Sequence, residues 1–243
     1  MENNILYHYT HKNALLSIIK NKCIWATDYK YLNLESEIQM LCRKVRQYVP
    51  DDVYTQKIAD LSYSLPINKG IFCLSEKGDL LSQWIRYGEY AIGFNMDKLN
   101  YCLENQDFHK ARPCIYKEDD LKKKITDFKE NDDYADMEYF LSLIELLYKN
   151  SRYDEECEWR VISSSLPITT QAKEEKWKVR ITPSKKIVEY TEINIDEFFP
   201  IEKIIVSSEK DFDSERVFLE KFLEQNGINN TEVIKSSIPF RKI

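Results

Sequence analysis

Five glycines in 243 residues leave no material for a glycine-rich phosphate cradle, and neither GxGxxG nor a P-loop occurs. The nucleophile elbow GxSxG and the zinc-protease signature HExxH are absent as well. The six cysteines (Cys23, Cys42, Cys73, Cys102, Cys114 and Cys157) are scattered without a CxxC pair, so the ligand spacing of a structural zinc site is missing. Several sit in apolar runs such as "GIFCLS" and "NKCIWAT", where a buried thiol is ordinary. No apolar stretch approaches the length of a membrane span, and no cationic, apolar leader opens the chain. These absences predict a reduced, cytosolic protein with no membrane partner and no bound metal. A net charge of −6 gives no general attraction to nucleic acid or anionic lipid, although it leaves room for a local basic groove.

Tyrosine, by contrast, is abundant at 16 residues, and a hydrophobic content of 43% is enough for an ordered globular core. No linker, repeat or low-complexity tract interrupts the chain, which predicts one domain over 1–243. "ILYHYT" reads as a strand, with Thr10 placed to cap a helix carrying Ala14, Leu15, Ile18 and Ile19 at helical spacing. "CIWAT" is the strand that follows. Residues 35–64 read as a helical insertion broken at "VPDD", and 117–150 as a second one. "GIFCLS" is a buried strand, "DLLSQWIRYG" a short helix with Asp79 as its expected cap, and "YAIGF" a strand. "KWKVRIT", "KIVEY" and "EKIIVSS" are further strands, and "SERVFLEKFLEQNG" is a helix stopped by Gly227. Strands and helices mix without a sustained βαβ rhythm, which predicts an α+β fold with a mixed, split sheet.

Chemistry points to "YDEECEWRVI", where Glu155, Glu156 and Glu158 precede an apolar strand. Acidic residues are depleted in strands, so Glu158 needs compensation. Along a strand the i, i+2 period puts Glu156 and Glu158 on one side, facing one cleft, and turns Cys157 and Trp159 to the core. Arg160 then falls on the glutamate face, able to fix a carboxylate or a pyrophosphate. The plainer alternative is a solvated ion-pair row worth little. The basic stretches "LKKKITDFK" and "KWKVRITPSKK" read as solvated faces. The tyrosines of "YKY" at 29–31 suit either core packing or stacking on a base.

Three blocks together, "LYHYTHKNALLSIIKNKCIWATDYKYLN", "FCLSEKGDLLSQWIRYGEYAIGF" and "EECEWRVI", resemble the bacterial family catalogued as domain of unknown function 2971. Leu34 departs from that pattern, standing where the family's Asn-Asp pair has its aspartate. The resemblance implies an ADP-ribosyltransferase-like fold with NAD as cofactor. It places His8, Tyr9 and Thr10 on the cofactor, Ser75 at the middle motif, and Trp84 or Tyr87 as the aromatic wall. It makes Glu158 the catalytic carboxylate, Glu156 the residue that orients an acceptor, and Arg160 a further cofactor contact. The activity implied is ADP-ribose transfer to a protein or nucleic-acid acceptor, or NAD hydrolysis, as in a toxin or anti-phage effector with a partner antitoxin. Two alternatives stand beside it: a non-catalytic nucleotide- or protein-binding module, and a metal-dependent, nuclease-like site built on Glu156 and Glu158.

Overall fold

The structure, a computed structural model, describes residues 4–32, 34–48, 68–130, 143–163, 177–182 and 185–239. Its elements in chain order are β1 (Ile5–Thr10), α1 (Lys12–Asn21), β2 (Cys23–Asp28), α2 (Glu35–Tyr48), β3 (Gly70–Ser75), α3 (Leu81–Tyr87), β4 (Tyr90–Asn95) and α4 (Met96–Glu104). Then follow β5 (Arg112–Pro113), α5 (Glu118–Glu130), β6 (Glu158–Ile162), β7 (Lys178–Ile181), β8 (Ile187–Asn194), β9 (Ile201–Val206), α6 (Phe212–Gln225) and β10 (Glu232–Lys235). The α+β pattern expected from the sequence is present. Parts of both expected helical insertions, 49–64 and 131–142, lie outside the described residues.

All the described strands belong to one open, mixed sheet with the order β10-β9-β4-β1-β3-β2-β8-β7, and β6 joins β3 to the short β5. Among the described strands, only β9 and β10 pair in parallel. One side packs on α1, α4 and α6 through Leu15, Ile19, Leu99, Leu103, Leu219 and Leu223. On the other, Ile71 and Ile162 meet Ile38 and Leu41 of α2, Leu121 and Ile125 of α5, and the helical residues 143–147. Leu34 belongs to this second cluster as an apolar core position.

The register around β3 positions the site. β6 pairs with β3 along its length, from Ile71↔Ile162 to Ser75↔Glu158. That occupies one edge of β3, so β1 and β2 must share the other. They meet it at opposite ends: β1 at Tyr7↔Ser75, and β2 at Thr27↔Ile71 and Asp28↔Gly70. Between these contacts β1 and β2 part, and the sheet forks.

Two expected caps are replaced by other solutions. Helix α1 takes His11 rather than Thr10 as its N-cap, with no side-chain cap bond. Helix α3 starts from Leu80, again without a side-chain cap. Asp79 accepts instead from Trp84 Nε1 at 2.8 Å, from the Ser236 hydroxyl at 2.6 Å and from the Ser237 backbone at 2.6 Å. A helix cap offered a tertiary partner gives way to it. Gly227, at φ +74°, does follow the end of α6 as its sequence position predicts.

Gly88 ends α3 at φ +134°, and a Cβ there would lie 2.4 Å from the Thr10 carbonyl oxygen. That oxygen belongs to the end of β1 and cannot swing aside as a side chain would. Gly88→Ala should therefore lower stability by at least about 1–3 kcal/mol from backbone strain. Urea unfolding measures it, and an unchanged midpoint would show that the α3–β4 turn tolerates displacement.

Candidate functional site

The fork opens into a cleft of ≈ 900 Å³, within the ordinary range for a small-molecule site, about 300–1,000 Å³. Paired residues in a sheet point to the same face. Tyr7, Ser75 and Glu158 therefore form one row across β1, β3 and β6. The same alternation turns His8 the other way, toward Phe72, with ring centroids 4.5 Å apart. His8 reaches the cleft because the strands part beside it. It stands two strands from Glu158, with β3 between them.

His8 also resolves a backbone problem. Where β1 leaves β3, the Cys73 carbonyl faces the gap, and His8 Nδ1 lies 2.9 Å from it. A carbonyl only accepts, so Nδ1 carries the proton. Burial holds the His8 pKa below its ordinary value, against the opposing effect of that carbonyl, so the ring is neutral at pH 7. The proton on Nδ1 then leaves Nε2 as an acceptor.

Beside the row lies a buried charge network. Lys149 Nζ donates to Glu156 Oε2 at 2.5 Å and to Glu158 Oε2. Arg160 donates through Nε to Glu158 Oε1 at 2.8 Å and through Nη1 to the Leu146 carbonyl at 2.6 Å. Its Nη2 reaches Glu37 of α2 at 3.3 Å, while Arg86 of α3 donates to Glu156 Oε1 at 2.8 Å. Burial alone would raise the Glu158 pKa, but the charges of Arg160 and Lys149 outweigh it and bring it down to about 2. For Lys149, burial works against the charged form, and the two glutamates overcome it, raising the ammonium's pKa. Glu37 stays above its ordinary value, because burial exceeds the help from Arg160 and Lys149. The thiols of Cys73 and Cys114 are pushed up by burial and are poor nucleophiles at neutral pH.

Glu156 and Glu158 converge by a different route from strand alternation. Glu156 ends a 3-10 turn, Ser151–Glu156, and the strand starts only at Glu158. Cys157 between them is left-handed, at φ 42°. Cys157 is accordingly only partly buried rather than a core residue, and Trp159 packs on the rim of the core with Nε1 donating to Glu76 at 2.8 Å. Glu155 is exposed.

The other expected residues separate. Ser75 is buried, donating to the Glu156 carbonyl at 2.7 Å and accepting from the Lys77 amide. Thr10 is buried on the cleft wall. On α3, Gln83 and Tyr87 share a face by i, i+4 spacing and line the cleft. Trp84 turns under to pack edge-on against Tyr9, with centroids 4.8 Å apart. The Tyr9 hydroxyl is held between the Lys77 carbonyl and the Leu80 amide. Of the two expected aromatics, Tyr87 lines the cleft and Trp84 is buried away from it. Of "YKY", Tyr29 is buried and Tyr31 lines the cleft.

Lys149, Arg86, Glu37 and Tyr7 were not picked out by sequence reasoning. Tyr7 had a usable signal, being two residues from Tyr9 on a recognised strand. The three charged residues come from helical or charge-rich segments, where nothing in the local pattern marks a buried ion. Among the described residues, no group of three or more His, Cys, Asp or Glu is placed to hold a metal, and no helix is long and apolar enough to cross a membrane.

The Glu158 carboxyl is ordinary when unfolded and depressed to about 2 when folded. Its pairing therefore contributes fully above about pH 4.5 and is lost as pH falls toward 2. Glu158→Gln should be less stable than wild type at pH 7, by on the order of 3 kcal/mol. Urea midpoints should show that gap closing between pH 4.5 and pH 2. A gap independent of pH would mean that the pairing does not set this pKa. In comparisons with known proteins, no curated protein and no solved structure matches the chain. A family model described as "Protein of unknown function (DUF2971)" matches residues 83–161, the stretch from α3 to β6 that supplies Arg86, Lys149, Glu156, Glu158 and Arg160.

Proposed function

We propose that the cleft binds NAD and that the protein cleaves the nicotinamide–ribose bond, passing ADP-ribose to a macromolecular acceptor or to water. The observation that carries this reading is the row Tyr7–Ser75–Glu158 at the mouth of a forked sheet, with a neutral histidine beside it. The resemblance implies a trio of His8, Ser75 and Glu158; Ser75 and Glu158 share the row, in which Tyr7 stands next to Ser75, while His8 lines the cleft from the other face of β1. The bonding pair leaves with nicotinamide, positive charge develops on the ribose, and an acceptor oxygen or nitrogen attacks the anomeric carbon. A carboxylate beside the ribose stabilises that state.

In this proposal Glu158 is that carboxylate. It is kept ionised across the physiological range by its two cations. A ribose hydroxyl takes the place of Lys149 at Oε2, while Lys149 keeps its bond to Glu156. His8 Nε2 accepts from the other ribose, Tyr87 stacks on nicotinamide, and Glu156 faces the acceptor. Ser75 holds the backbone carbonyl of Glu156 and so positions both glutamates. The cellular setting that fits is a cytoplasmic toxin or defence effector restrained by a partner protein.

One observation favours a different reading. Both oxygens of Glu158 are already paired with cations, as suits a nucleotide-binding module that does no chemistry. Incubation with NAD, with and without Mg²⁺, decides between them by the release of nicotinamide. The enzyme reading predicts release without metal and a loss of about 10²–10³ in rate for Glu158→Gln. Glu156→Gln should depress transfer more than hydrolysis. Because Glu158 is buried and paired, its variant must be assayed on the folded fraction. Thermal stabilisation by NAD without any nicotinamide release would leave the binding module, and neither effect would remove both readings.

A further inference from the structure

Among the described residues, every cation on the cleft wall except one is paired with a carboxylate. Arg86 pairs with Glu156, Lys149 with Glu156 and Glu158, and Arg160 with Glu158 and Glu37. The exception is Arg180 of β7. Its Nη2 donates to the Thr27 hydroxyl at 3.0 Å, and its Nε is buried with no hydrogen-bond partner among the described residues. Its guanidinium lies over the Trp25 ring, 5.6 Å from the centroid. No described carboxylate forms an ion pair with it.

The sheet places this group on the same face as the row at the fork. Arg180 pairs with Val188, Tyr190 is two residues along β8 and pairs with Thr27, and Thr27 pairs with Ile71. Ile71 and Ser75 are four residues apart on β3, so they share a face. An unsatisfied buried guanidinium N–H costs free energy, typically about 1–3 kcal/mol and more for a charged group. A planar donor fork held in place by a hydroxyl and an aromatic ring, and lacking an anion, is preorganised for one.

We infer that Arg180 is an anion subsite that takes the phosphate or pyrophosphate of a nucleotide, with exposed Trp25 and Tyr31 offering ring faces to its base. The anion subsite stands on the geometry of Arg180 alone. Its assignment to the pyrophosphate of NAD rests on the proposed function, and it puts that ligand across the cleft from β7 to the fork.

Titration calorimetry with inorganic pyrophosphate and with ADP-ribose, at low salt, tests the inference. Wild type should bind both, and Arg180→Met should weaken each about 10- to 100-fold, as expected for losing one charge-assisted contact. Arg180→Lys keeps the charge but not the fork, and should fall between the two. Lys178→Met, at an exposed site on the same strand, should bind like wild type and so controls for net charge. Circular dichroism of each variant confirms that it is folded. Unchanged binding by folded Arg180→Met, equal weakening by Lys178→Met, or no pyrophosphate binding by wild type would each overturn the subsite. Pyrophosphate binding that depends on Arg180, in a protein that releases no nicotinamide, would retain the subsite and remove only the NAD-cleaving reading.

Discussion

Burial of Glu158 is the constraint on which this structure is built. A lone carboxylate withdrawn from water is costly, and the cost is met only when opposite charge and hydrogen bonds replace the solvent. Glu158 therefore requires Lys149 and Arg160. Lys149 in turn takes Glu156, and Arg160 takes Glu37 and the Leu146 carbonyl. The partners come from α2, residues 146–149 at and just after the helical stretch 143–147, the 3-10 turn and β6. Segments more than a hundred residues apart in sequence are thereby tied to one point. Such a network is weak evidence of net stability, because well-packed apolar side chains often do as well. What it supplies is position. Each ion can occupy only the place where its neighbours satisfy it, so the carboxylates are fixed relative to the sheet.

The fork has a related logic. A strand that leaves its neighbour strands backbone groups, and buried backbone groups are nearly always paired. His8 supplies the missing donor for the Cys73 carbonyl, and in doing so fixes its own tautomer and orientation. One hydrogen bond thus satisfies the backbone where β1 leaves β3 and leaves Nε2 as the ring's acceptor. A substitution that removed the ring would expose the carbonyl and change the shape of the cleft together.

Much of the secondary structure was legible because it rests on local periodicity: the strands around "ILYHYT", "CIWAT", "GIFCLS" and "YAIGF", and the last helix with its terminal glycine. Strand β10 was missed because "EVIK" is short and gains its place by pairing with β9. The Asp79 cap failed for a tertiary reason, since Asp79 found partners more than 150 residues away. The site was half legible. Glu156, Glu158 and Arg160 are marked by charges in an apolar strand, but the left-handed turn at Cys157 that brings the two glutamates together leaves no trace in composition. Lys149 and Arg180 were hidden for the opposite reason. Both lie in basic or charge-rich surroundings, and the solvated-face rule is right for Lys178, two residues before Arg180, and wrong for Arg180 itself.

The charge on the cleft wall bears on what can enter it. Among the described residues that line it, four cations face three carboxylates, in a chain whose net charge is −6. A long polyanion approaching this protein meets an unfavourable field over most of the surface, and salt screens only what lies beyond about 8–10 Å. A small anion that fits inside the cleft meets the local excess of positive charge in a half-buried setting, where screening is weaker. The same neutralised network that silences Glu156 and Glu158 as long-range charges lets Arg180 dominate. The wall is thus divided between an end that compensates its own charges and an end that does not. A ligand carrying phosphate at one end and a polar, uncharged sugar at the other is the shape of molecule that this division favours.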